Sequence, residues 1–352
     1  MSHSTDNLRI IDSRPLVAPE MLSHEFPVTL KVAELVTATR QAASAIIKGE
    51  DERLIVVVGP CSIHDTQAAL QYADLLKASQ QQLASELLII MRIYFEKPRT
   101  TVGWKGLIND PYLDNSFDIN QGLRIARGLL IDLAEQGMPA ATEFLDTIVP
   151  QYISDLIAWG AIGARTTESQ IHRELASGLS MPVGFKNGTG GSLQIAIDAI
   201  KAAQSSHHFL GVTKHGSASI LKTAGNDTCH VILRGGKTGP NYQTAHIQET
   251  KALQDKAQIK ACIMVDCSHG NSEKDHRRQA VVAADICQQL RAGETAIGGV
   301  MLESHLVAGT QSLKDKSQLV YGQSITDACL DWEATHHILE QLAAAVKVRR
   351  AF

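Results

Sequence analysis

Along the 352-residue chain, short continuous apolar runs alternate with longer stretches in which apolar residues recur every three or four positions. The runs are Leu54–Val58 (LIVVV), Leu87–Phe95, Ala140–Leu145, Ala161–Arg165, Pro182–Lys186, His230–Arg234, Cys262–Asp266 and Gly299–Ser304. Their length and branched side chains predict strands. Their lack of polar alternation predicts strands buried on both faces. Between them, Thr66–Ala84 places Leu70, Ala73, Leu76 and Leu83 on one side, with Asp65 suited to cap its start. Residues 120–137 read as a helix ending on glycine, and 192–204 and 276–293 look similar. A chain of eight β-then-α units over roughly 250 residues predicts an α/β protein with a (β/α)8 TIM barrel. A doubly wound sheet is the alternative, but "GPCSIHD" after the first strand is not its glycine-rich turn.

Two segments stand outside that count. Residues 1–50 precede the first strand and carry one expected helix, Thr29 to Lys48. Residues 207–225 read as a β-hairpin around Lys214-His215-Gly216. The expected organisation is an extension, 1–50, for regulation or assembly, and a catalytic barrel, 51–352, with the hairpin inserted.

Composition narrows the function. Apolar residues make up 44% and charged residues 20%, with a net charge of −4, which argues against non-specific nucleic-acid binding. No apolar run approaches the ~20 residues of a membrane span, and the N-terminus lacks the pattern of a signal peptide. Six cysteines are scattered singly, as in a cytoplasmic protein with reduced thiols.

The carboxyl ends of the expected strands carry Cys61; Arg92 with Lys97; Glu143; Arg165; Lys186; Arg234; Asp266 with His269; and Glu303. A barrel brings these ends to one face, where barrel enzymes keep their sites. Repeated Arg and Lys is not what eight unrelated strand ends meeting water would show. Arg92, Lys97, Arg99, Arg165, Lys186 and Arg234 around one cavity predict anionic small molecules, with enough charge for two. Thr100, Thr101, Thr166, Thr167 and the glycines of "FKNGTGGS" add neutral donors. Cys61, His269, Glu303 and Asp327 are ligand types for a transition metal. Small neighbours in "CSHGN" are expected to leave the His269 ring free. Spacing alone leaves a metal site and a buried thiol with a structural histidine equally open.

The motifs "GPCSIHD", "MRIYFEKPRTTVGWKGLINDP", "IGARTTESQIHRELASGLSMPVGFKNGT", "ILRGGK" and "SITDAC" resemble the type I 3-deoxy-D-arabino-heptulosonate 7-phosphate (DAHP) synthases, in their feedback-regulated enterobacterial branch, over nearly the whole chain. The resemblance implies condensation of phosphoenolpyruvate with erythrose 4-phosphate, the first step of the shikimate pathway. "KPRT" sets the chain apart from the related octulosonate-phosphate synthases; a catalytically dead amino-acid sensor would lack a site residue, and none is missing. The resemblance implies one divalent metal (Mn, Fe, Co or Zn) on Cys61, His269, Glu303 and Asp327. It implies phosphoenolpyruvate among Arg92, Lys97, Arg165, Lys186 and Arg234, and the aldose phosphate at Lys97, Pro98, Arg99 and Thr100. Lys97 is assigned proton donation, and Glu143 the orientation of Lys186 or of the attacking water. A homodimer or homotetramer is also implied.

Two departures from the family pattern stand out: "NGTGG" with Gly190 in place of an acid, and "GGKTGPNY", one residue longer. The resemblance further implies an aromatic amino-acid effector near Gln151, Leu179, Ser180, Phe209 and Gly211. Glycine at 211, in place of serine, is expected to leave room for a para-hydroxyl. Tyrosine is therefore the expected effector, ahead of phenylalanine.

Overall fold

The computed structural model describes residues 5–99, 101–313 and 315–352. Its strands, in chain order, are β1 (Leu54–Gly59), β2 (Leu87–Arg92), β3 (Ala140–Glu143), β4 (Ile157–Ile162), β5 (Val183–Lys186), β6 (His208–Val212), β7 (Ala218–Lys222), β8 (Cys229–Leu233), β9 (Ile263–Asp266), β10 (Ile297–Glu303), β11 (Val307–Thr310) and β12 (Gln323–Ser324). β1-β10-β9-β8-β5-β4-β3-β2 closes into a parallel barrel, and β6 and β7 pair antiparallel as the inserted hairpin. The helices are α1 (Pro19–Glu25), α2 (Leu30–Lys48), α3 (Thr66–Gln82), α4 (Ile119–Glu135), α5 (Pro150–Ile153), α6 (Gln170–Gly178), α7 (Gln194–Ala203), α8 (Thr244–Ala257), α9 (Gln279–Arg291) and α10 (Trp332–Arg349). No described helix is long and apolar enough to cross a membrane.

The unbroken apolar runs follow from burial on two sides. Along β1, Ile55 and Val57 point into the barrel with Ile90, Trp159, Ile232, Met264 and Met301. Leu54, Val56 and Val58 point outward into the layer that the helices cover. Ala43, Ile46 and Ile47 of α2 join the inner cluster. The second half of the N-terminal segment is thus part of the barrel's packing. Thr29 caps α2 through Val32 N, and left-handed Gly49 ends it. Asp65 caps α3 through the amides of Gln67 and Ala68, as its position predicts.

Two expectations shift. The fourth strand runs from Ile157 to Ile162, not from Ala161 to Arg165. The Gly163 carbonyl accepts from Thr166 N and Thr167 N, both at 2.9 Å, so the chain turns before Arg165. This brings Trp159 into the barrel, where its Nε1 donates to His230 Nε2 at 3.3 Å. Among the described residues, the N-terminal segment holds two helices rather than one. The first, α1, starts at Pro19 and is held by the hairpin, whose Lys214 carbonyl accepts from Glu20 N at 2.8 Å.

Candidate active site

β1 ends on Gly59, and the reason is contact. A Cβ there would lie 2.8 Å from the Arg92 carbonyl oxygen, and its φ of +154° disfavours a side chain. That close approach sets Cys61 beside the end of β2. Arg92 donates to Pro60 O at 3.1 Å and to Glu303 Oε1 at 2.9 Å, and its guanidinium lies 3.5 Å from the centre of the Tyr94 ring. Lys97 Nζ donates to Cys61 Sγ at 3.1 Å, and the thiol lies 3.7 Å from Asp327 Oδ2. Ligand atoms of Cys61, Glu303 and Asp327 all fall within 4.8 Å of one another.

His269 stands apart from that group of three, with Nε2 3.8 Å from Glu303 Oε1. Its small neighbours suggested a free ring, and the ring is instead held at Nδ1. Nδ1 lies 2.9 Å from Asp266 Oδ2 and 2.6 Å from Ser268 Oγ, and only Nε2 faces the cavity acids. The short Ser268 side chain is itself a polar partner, which residue size does not reveal.

The cavity above these groups holds about 1190 Å³, open mouth included. Arg92, Lys97, Pro98, Arg99, Glu143, Arg165, Lys186, Arg234, His269, Glu303 and Asp327 all line it. Cys61 lies fully buried beneath them. Thr100 lies outside the described residues. Lys186 Nζ donates to Glu143 Oε2 at 3.3 Å and lies 3.5 Å from Asp266 Oδ2. Arg234 has no carboxylate within ion-pair distance among the described residues. Its backbone N donates to Asn187 Oδ1 at 2.8 Å.

Electrostatics follow from this packing. Burial pushes the Cys61 thiol up, Glu303 adds to the rise, and Lys97 opposes it. Burial works against the charge on Glu143, yet Lys186, Lys97 and Arg92 hold its carboxyl below the usual range. Asp327 is likewise held down against burial, chiefly by Lys97 and His269.

Sequence reasoning placed Asp266 at a strand end without giving it a role, and passed over Tyr94, Met301 and Gln279. Gln279 Oε1 accepts from Glu303 N at 2.8 Å and its Nε2 donates to Glu303 O at 3.0 Å, fixing that strand end. Asp266 carried a signal, an acid closing a buried strand three residues before His269; the others carried none. The two unusual loops touch one another. Lys237 N donates to Thr189 O at 3.2 Å, and a Cβ on Gly191 would lie 2.8 Å from Thr238 Oγ1.

The family model for the DAHP synthetase I family matches residues 25–340. The chain belongs to that family. The Phe-sensitive phospho-2-dehydro-3-deoxyheptonate aldolase of Escherichia coli (strain K12) is 59% identical over 350 residues, covering 99% of this chain and 100% of that one. The Trp-sensitive protein of the same strain is 54% identical, covering 98% and 99%. A solved phospho-2-dehydro-3-deoxyheptonate aldolase from Francisella tularensis SCHU S4 is 55% identical with a TM-score of 0.95, covering 97% and 99%. The activity is the family's: phosphoenolpyruvate, erythrose 4-phosphate and water give DAHP and phosphate, the first step toward the aromatic amino acids.

The residues expected around an effector lie away from this cavity, about the hairpin. Phe209 and Gly211 are on β6, Leu179 and Ser180 follow α6, and Gln151, in α5, accepts from Lys214 Nζ through its carbonyl. Thr223 ties the hairpin to α6 through Ser177 Oγ at 2.7 Å. The room expected at Gly211 is filled. A Cβ there would lie 2.4 Å from Leu221 Cδ1, because Leu221, paired with Phe209, leans diagonally along the same face.

Proposed function

We propose that Cys61, His269, Glu303 and Asp327 hold one divalent metal ion, and that the cations above it hold the two substrates. The convergence of Cys61, Glu303 and Asp327 on one point beneath a cation-lined cavity carries this reading. The donors suit a borderline metal: a thiolate, an imidazole with a free nitrogen and two carboxylates would accept manganese, iron, cobalt or zinc. Arg92, Lys97, Arg165, Lys186 and Arg234 bind phosphoenolpyruvate. Lys97, Pro98, Arg99 and Thr100 bind the aldose phosphate.

A metal bound there supplies Lewis acidity toward the aldehyde oxygen. The protein's own task is to hold two polyanions together against their repulsion and to keep the enol carbon facing the aldehyde. Lys97, between the ligand group and both substrates, donates a proton to the developing alkoxide. Glu143 orients the Lys186 ammonium, and its charge favours the cationic character that grows at the enol-phosphate carbon before water adds.

Regulation by an aromatic amino acid at the hairpin completes the proposal. Relatives named for phenylalanine and for tryptophan sensitivity support the class of effector. The tyrosine reading rests on Gly211, where the side chain crowding the place of a Cβ is Leu221, through both Cδ1 and Cγ, with Phe209 Cε2 farther off at 3.7 Å; the leucine can turn away. The N-terminal segment and hairpin also serve assembly as a homodimer or homotetramer, supported by Leu210 and Ile220, cross-strand partners that are 87% and 76% exposed.

The test is phosphate release with phosphoenolpyruvate and erythrose 4-phosphate after chelation, then with each metal restored. Loss on chelation and recovery with metal are expected; full turnover by metal-free enzyme overturns the metal assignment.

A further inference from the structure

We propose that Asp266 is a positioning residue that couples the metal site to the phosphoenolpyruvate site, by holding His269 and Lys186 with one carboxylate. The inference rests on the reading that His269 ligates metal and Lys186 binds phosphoenolpyruvate. Nothing in that reading assigns Asp266.

The geometry is specific. Asp266 closes β9 and is fully buried. Its Oδ1 accepts from Ser268 N at 3.0 Å and from Ser268 Oγ at 2.7 Å. Its Oδ2 lies 2.9 Å from His269 Nδ1 and 3.5 Å from Lys186 Nζ. A carboxylate cannot donate, so Nδ1 of His269 carries the proton and Nε2 keeps its lone pair for a ligand. The Ser268 hydroxyl donates to Oδ1, so its oxygen can also receive from Nδ1. One tautomer serves the Ser268 and Nδ1 contacts, while Oδ2, with no hydrogen-bond partner among the described residues, meets the ring and the Lys186 ammonium through charge.

The same oxygen shares the ammonium of Lys186 with Glu143. When a cation binds at Nε2, the imidazole draws more strongly on Oδ2, and less of the carboxylate's charge remains for Lys186. Lys186 then has more to offer an anion. Binding of metal and of phosphoenolpyruvate should therefore help one another, and by linkage the help is equal in both directions. A carboxylate behind a ligating histidine is typically worth 10–100-fold in metal affinity.

The experiment measures metal dissociation constants by titration calorimetry, with and without phosphoenolpyruvate, in wild type, Asp266→Asn and His269→Ala. In wild type, phosphoenolpyruvate should tighten metal binding several-fold. In Asp266→Asn, metal binding should weaken at least tenfold, and the tightening by phosphoenolpyruvate should fall to near one. The KM for phosphoenolpyruvate should rise more than that for the aldose phosphate. A wild-type coupling factor retained in Asp266→Asn overturns the proposal. Undiminished metal affinity in His269→Ala instead overturns the underlying ligand assignment. Should Asp266→Asn fail to fold, Ser268→Ala decides. It keeps the charge but releases the ring, so metal affinity should drop a few-fold; no change overturns the proposal.

Discussion

Lys97 Nζ donates to Cys61 Sγ and to the Cys61 carbonyl, both at 3.1 Å, so an ammonium stands against the one sulfur of the proposed ligand set. The lysine and a metal ion compete for the same electron pairs, and the two residues should respond to mutation in opposite ways. Cys61→Ala should abolish turnover with every metal and weaken metal binding at least a hundredfold. Lys97→Met should bind metal as tightly as wild type or tighter, while kcat falls roughly 10²–10⁴-fold, the usual worth of a placed proton donor. Metal titration alongside steady-state kinetics measures both; parallel loss of metal in the two variants would refute the competition.

The anion sites should separate by substrate. Arg165→Ala or Lys186→Ala removes a charge-assisted bond worth about 1.5–3 kcal/mol, so affinity for phosphoenolpyruvate should drop roughly ten- to hundredfold. Arg99→Ala should weaken the aldose phosphate instead. Substrate-by-substrate KM values test the partition, and equal losses for both substrates in each variant would contradict it.

Acid should destabilise the barrel through His230. Burial lowers its pKa to about 4, against an ordinary 6.5, because the ring is shut inside the barrel against Trp159, with no ion-pair partner among the described residues. A histidine depressed in the folded state takes up its proton first in the unfolded chain. Its contribution is therefore whole above pH ~6.5, lost as pH falls toward ~4, and unchanged below that, amounting to at most about 3 kcal/mol. Urea unfolding across that range should show it, and His230→Gln should flatten the slope by about one proton.

The effector proposal turns on Gly211 and Leu221. Of the three aromatic amino acids, tyrosine should inhibit at the lowest concentration. Leu221→Ala should leave more room beside Gly211 and reduce discrimination between the three. Gly211→Ser must displace Leu221 Cδ1 and should shift inhibition toward phenylalanine. Activity titrated with each amino acid decides it, and inhibition by phenylalanine with none by tyrosine would refute the assignment.

The barrel was legible in the sequence because a strand buried on both faces leaves an unbroken apolar run. Eight such runs, each ending in a charged or thiol residue, also announced a site at the carboxyl ends. Arg92, Lys97, Glu143, Arg165, Lys186, Arg234, His269 and Glu303 from those ends line the cavity, and Cys61 and Asp266 are buried against them. Strand limits were less legible. Arg165 continues the apolar run AIGA in sequence, and only the turn on the Gly163 carbonyl removes it from β4.

What only the tertiary structure decided is pairing. Cys61, Glu303 and Asp327 are separated by 242 and 24 positions, and no periodicity relates them. Their approach depends on β1 and β10 being neighbours in a closed ring, and on Gly59 admitting Arg92. The same holds for Asp266, whose sharing between His269 and Lys186 needs β9 and β5 to aim side chains at one point. It holds again for Gly211, where the missing side chain suggested space and a diagonal neighbour on the other strand fills it. Local pattern determines which residues are buried and which elements form, because those depend on neighbours three or four positions away. Which charged group faces which depends on ring closure, and that is a property of the whole chain.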